Sequence, residues 1–232
     1  MAGLITHMVI AREIIKLLPK GTIQDEGLFY LGNLAPDAIH AREGYIRDFK
    51  KHTHFRDNIR DIDFLLEDNQ NAYRKSLEGF IAKNRDRNDG LYDLYRGYVA
   101  HVLSDELFIR TVRAEFCEAM DKLNIAQNDP RFFDYIIRDM NRNDMLLVKR
   151  YDDIEEVKRQ VEQVPIHQID DLLSHQEMKD SMEWLIRRHF YEEHELIPPV
   201  YISYDRTVAF IQAAANEVVA KLSEKDSQIR MF

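Results

Sequence analysis

The stretch Leu91-Tyr-Asp-Leu-Tyr-Arg-Gly-Tyr-Val-Ala-His-Val-Leu-Ser-Asp-Glu-Leu-Phe-Ile-Arg-Thr-Val-Arg-Ala-Glu-Phe116 decides the fold. Leu91, Leu94, Tyr95, Tyr98, Val102, Ile109, Val112 and Phe116 recur at the spacing of an α-helix with one buried face. His101 and Asp105 lie on the same stripe, four residues apart, and therefore stack on one face. A carboxylate aimed into a core is costly unless it is paired or bound to a cation. A histidine and a carboxylate at this spacing can grip one metal ion without moving the backbone. The alternative at this point is a core histidine hydrogen-bonded to a neighbouring acid.

Outward from this helix, breakers become scarce. All eight glycines lie at or before Gly97, and beyond it only Pro130, Pro165, Pro198 and Pro199 interrupt the chain. No run of β-branched residues alternates with period two. The pattern predicts an all-α, multi-helix bundle. Helices are expected from Thr6, as N-cap, to about Leu18; from Gln24 to about Leu34, ending before Pro36; from about His54 through Leu66; and over about 71–83. Further helices are expected after Gly90 and over about 131–149, 153–163, 177–193 and 204–223. Without a linker or a repeat, residues 1–232 read as one domain: a core over 1–116 and a helical extension over 117–232 packed on it.

The 232 residues are 45% hydrophobic, enough for a substantial core, and carry a net charge of −9. That charge argues against stable nucleic-acid binding, which needs a basic surface. The single cysteine, Cys117, excludes an intrachain disulfide framework. Neither a signal-peptide pattern nor a membrane-spanning stretch is legible, so a cytoplasmic protein without a transmembrane segment is expected.

Other chemistry-bearing residues sit on the amino-terminal side. His7 lies on the apolar side of the first helix, and Asp37 follows Pro36 in Gly32-Asn-Leu-Ala-Pro-Asp37. His52 and His54 flank Thr53 in Lys51-His-Thr-His-Phe55. Singly, each has an ordinary reading: a core histidine, a turn or helix cap, and an exposed basic turn.

Taken together, Ile5-Thr-His7, Pro36-Asp37, Thr53-His54-Phe55 and Gly97-Tyr-Val-Ala-His101-Val-Leu-Ser-Asp105 resemble the zinc-dependent phospholipase C family, whose helical fold is shared with fungal single-strand-specific nucleases. The resemblance covers about residues 5–110. It implies a phospholipase C-like bundle with the metal site between the amino-terminal and central helices. It also implies a zinc held by Asp37, His54, His101 and Asp105, and a second zinc bridged by Asp105 that also takes His7. Manganese or iron would suit the same ligands. The resemblance further implies phosphoester hydrolysis by a metal-activated hydroxide, with Asp37 as an additional base and a small phosphoester or phospholipid head group as substrate. His54 is preferred to His52 because the aromatic follows it as in the family motif.

The secreted members use three metals and place a histidine shortly after the His-x-x-x-Asp motif. Here none occurs between Asp105 and His167, which narrows the expectation to two ions. His189 and Glu193 have the spacing of a further site but sit in a highly charged segment, more in keeping with a solvated helix face. Arg12, Lys51 and Arg56 are the candidate cations for a phosphate, and His40 a candidate pocket residue. Two competing functions remain: a nucleotide or single-strand nucleic-acid phosphodiesterase, and a non-catalytic, metal-stabilised helical binding module. The chain contains no His-Asp dipeptide, which argues against a phosphohydrolase of that type.

Overall fold

The computed structural model describes residues 2–224 and 227–232. Its helices are α1 (Leu4–Leu17), α2 (Glu26–Ala38), α3 (Arg47–Thr53), α4 (Glu67–Asn84), α5 (Tyr92–Arg110), α6 (Val112–Lys122), α7 (Pro130–Arg150), α8 (Ile154–Gln163), α9 (His175–Ile186) and α10 (Tyr204–Ser223). Among the described residues there is no sheet, only an isolated bridge between Ile169 and Leu173. The all-helical expectation therefore holds. No helix among the described residues is long and apolar enough to cross a membrane.

The centre of the bundle is the pair α2 and α5, which approach closely because two glycines face each other. A Cβ on Gly32 would lie 2.0 Å from the Leu94 carbonyl oxygen, and one on Gly97 would lie 2.1 Å from that of Phe29. Only hydrogen fits between backbones this close, so the small residues set the interaxial distance. Around the pair, α1, α4, α9 and α10 bury Ile5, Ile14, Tyr73, Leu77, Met182 and Phe210 in one cluster that runs from Ala2 to Met231.

Carboxylates from distant helices complete several element starts. Gly3 is the N-cap of α1 and has no side chain to offer; Asp144 of α7 takes the role instead, accepting from Ile5 N (3.1 Å), Thr6 N (3.0 Å) and Thr6 Oγ1 (2.9 Å). Thr6 is therefore a donor within α1 rather than its N-cap, because a buried carboxylate reaches the free N–H groups from across the core. Asp93 of α5 likewise accepts from Gln24 N and Asp25 N just before α2.

Further boundaries differ from the sequence reading: the central stripe read through Phe116 breaks at Thr111 into α5 and α6. Helix α2 runs through Pro36 to Ala38. Proline removes one hydrogen bond, but packing against α5 holds the helix in register, and the Pro36 carbonyl accepts from Thr53 Oγ1 (2.8 Å). No helix starts at His54. Instead α3 ends there, and 54–66 is a loop with a single 3-10 turn at Asp61–Asp63. Ile59 and Phe64 are buried from this loop, whereas Ile62, Leu65 and Leu66 are exposed, so the apolar residues of 54–66 do not form one buried helical face.

Candidate metal centre

Four helices bring His7, Asp37, His54, His101 and Asp105 together. His7 lies in the first turn and a half of α1, Asp37 in the last turn of α2, and His101 and Asp105 stack along α5. His54 is the C-cap of α3, which closes with the chain reversed: Phe55 N donates to His52 O, and Arg56 N to Lys51 O. This Schellman closure requires a left-handed residue after the cap, and Phe55 supplies it at φ 57°. A non-glycine residue pays about 1–2 kcal/mol there. The cost is offset by packing of the Phe55 ring on Phe80 and Tyr98. The aromatic after His54 thus holds the turn that carries the histidine.

All five side chains are almost completely buried, His7 and His101 at 0% exposure. His101 Nδ1 donates to the Asn33 carbonyl (2.7 Å) and His54 Nδ1 to the Lys50 carbonyl (2.9 Å). A carbonyl oxygen can only accept, so both rings carry a proton on Nδ1, and the neutral form of each presents the Nε2 lone pair. The two Nε2 atoms face each other at 3.3 Å. His54 Nε2 lies 3.4 Å from Asp37 Oδ1 and 3.3 Å from Asp105 Oδ2. His7 stacks on His101 with centroids 3.7 Å apart, and its Nε2 is 3.3 Å from Asp105 Oδ1. Neither His7 nitrogen makes a hydrogen bond of acceptable geometry among the described residues. Asp105 Oδ1 also accepts from Ala2 N (3.0 Å).

Imidazole nitrogens and carboxylates that converge on one another at 3.3–3.4 Å are the groups a divalent cation draws together. The donor set therefore fits a divalent metal: imidazole nitrogens oriented through their opposite edges by carbonyls, with carboxylates beside them. Two three-residue groups have the required compactness, His7 with His101 and Asp105, and Asp37 with His54 and His101. Both contain His101.

The electrostatics agree. Burial would raise the Asp37 carboxyl, but the Lys50 ammonium beside it outweighs that effect and holds Asp37 well below the usual carboxylate range. Asp105 is also held well below that range against the effect of burial. Burial and the neighbouring His7 push His101 well below the usual histidine value, so it is neutral.

A cavity of about 550 Å³ opens beside this cluster, with Asp37, Lys50, His40, Asp144, Asp180 and His189 among its polar walls and Ile137, Met140 and Trp184 among its apolar ones. Lys50 was not legible as a site residue, although it lies four residues before His54, one turn back on the same side. The cations suggested by sequence lie elsewhere: Arg12 pairs with Asp153 and Glu26, Lys51 with Asp48, and Arg56 with Asp61. His52 is exposed and pairs with Asp57. His189 is buried but Glu193 is exposed, and among the described residues neither belongs to a metal-capable group. His189 sits on a π-turn, Arg187–Tyr191, that ends the helix; Glu192 is extended, so Glu193 lies beyond it and the shared helix face suggested by their spacing does not form.

The chain matches no protein-family model, no curated protein and no solved structure.

Proposed function

We propose that this protein is a metal-dependent phosphoester hydrolase. The observation that carries the reading is the convergence of the His54 and His101 Nε2 atoms on each other and on the carboxylates of Asp37 and Asp105. His7, Asp37, His54, His101 and Asp105 would hold two divalent ions, zinc being the best match to mixed imidazole and carboxylate ligands. Bound there, the pair would polarise a phosphoryl oxygen and acidify a water.

The protein's own part is positioning. Asn33 and Lys50 carbonyls fix two imidazoles in the ligating tautomer. Asp37 lines both the cluster and the cavity, and its carboxylate would take the proton of an attacking water. In the hydrolysis, the water oxygen bonds to phosphorus, the ester P–O bond breaks, and the leaving alkoxide takes a proton from solvent. A cavity at Asp37 favours this reading over a closed structural metal site, which has no room for a substrate. The sequence resemblance to zinc-dependent phospholipase C points the same way.

The test is elemental analysis with hydrolysis of bis(p-nitrophenyl) phosphate. About two divalent ions per chain and metal-dependent turnover are expected, both falling sharply in Asp105→Ala. Folded wild-type protein unable to take up zinc would overturn the reading.

A further inference from the structure

Lys50 is the one lysine or arginine among the described residues lining the cavity, and it is 4% exposed. Its ammonium pairs with Asp37 Oδ1. Burying an ammonium is expensive, and a pair in the interior repays that cost only with good geometry and further partners. Asp37 takes one direction of a group with three donors. The other cavity walls offer carboxylates, Asp144 and Asp180, but Asp144 spends its oxygens on the start of α1, and Asp180 accepts from Gln176. Among the described residues, Lys50 is thus the one lysine or arginine charge on the cavity wall, at the side shared with the ligand cluster.

The charge balance matters. Two divalent ions would face only two ligand carboxylates, Asp37 and Asp105, leaving an excess of positive charge. Lys50 adds to that excess. A cation retained beside such a centre is tolerable when an anion shares the space. Its ammonium then serves as a point-charge donor to that anion's oxygens.

We propose that Lys50 binds a non-bridging phosphoryl oxygen of the substrate, from the cavity side of Asp37. This rests on the hydrolase reading above. It makes Lys50 a substrate-binding residue, distinct from the ligands, and gives the cavity wall at Asp37 a preference for an anionic phosphoryl group over a neutral ester.

The probe is inorganic phosphate, titrated calorimetrically into zinc-loaded wild type, Lys50→Met, Lys50→Gln and Lys50→Arg, with zinc content measured on the same samples and folding by circular dichroism. Phosphate affinity is expected to fall roughly ten- to hundredfold in the Met and Gln variants, the worth of one charged hydrogen bond, with zinc content unchanged. The Arg variant is expected to keep most of the affinity. Unchanged phosphate affinity in the Met and Gln variants overturns the proposal, as does loss of zinc or failure of both to fold, either of which makes Lys50 the structural counter-ion of Asp37. Zinc-bound wild type that takes no phosphate overturns it while leaving the metal centre standing. Wild type that binds no zinc overturns the hydrolase reading and this inference with it.

Discussion

Two buried histidine–aspartate clusters flank the same cavity wall, and they are built to opposite ends. In the first, His54 and His101 spend Nδ1 on carbonyls and aim Nε2 at each other and at Asp37 and Asp105. In the second, Asp144 spends both oxygens on Ile5 N, Thr6 N and Thr6 Oγ1, while His189 Nδ1 donates to Leu185 O. Residue types and burial are alike. What differs is where hydrogen-bonding capacity is left over: the first cluster points lone pairs at a common centre, whereas the second uses its carboxylate to finish a helix. Buried acid and imidazole together are therefore weak evidence of a metal site; converging acceptors are strong evidence.

The contrast is sharpest at Asp144. Asp144→Ala is expected to cost about 3 kcal/mol of stability, since it orphans buried donors at the start of α1. Zinc stoichiometry at a temperature where the variant is folded should remain that of wild type. Denaturant unfolding with metal analysis measures both, and loss of zinc with unchanged stability would break the comparison.

Acid should separate the clusters next. His101 has its folded-state pKa depressed by burial and by His7. Below the usual histidine value of 6.5 the unfolded chain takes up a proton that the folded state resists, so stability falls as pH falls. Asp37 and Asp105, held below 3.8, add their own loss only at lower pH. The metal-stripped protein should therefore show a lower Tm at pH 5 than at pH 7. His101→Gln should flatten that dependence more than His189→Gln, because His101 is fully buried beside two other histidines. Thermal melts across this range check it.

The smallest effect is expected at Glu193. Glu193→Ala should change stability by less than about 0.5 kcal/mol and leave the zinc count unchanged, as for other exposed positions. A drop in metal content would revive a site at His189 and Glu193.

Local spacing made α5 legible, with His101 and Asp105 on one face, because i,i+4 geometry belongs to any helix. The distribution of glycine and proline likewise carried the helical class. Asp37 and His54 were legible only through their resemblance to a family's motifs, and their local settings were not. Asp37 was expected beyond a helix and lies inside one; His54 was expected to start a helix and ends one. Both reversals come from neighbours distant in sequence: α5 holds α2 straight through Pro36, and Phe80 and Tyr98 hold Phe55 left-handed.

By itself the sequence determined the all-helical class and the His101–Asp105 pair on one helix face. Tertiary structure alone decided that Asp144 caps α1 from 138 and 139 residues away, that Lys50 rather than Arg12, Lys51 or Arg56 reaches the cavity, and that His189 stands apart from the cluster. The physical reason is range. Helix periodicity is written within a few residues, whereas the destination of a lone pair or an ammonium depends on which distant carbonyl or carboxylate the packed core brings to it.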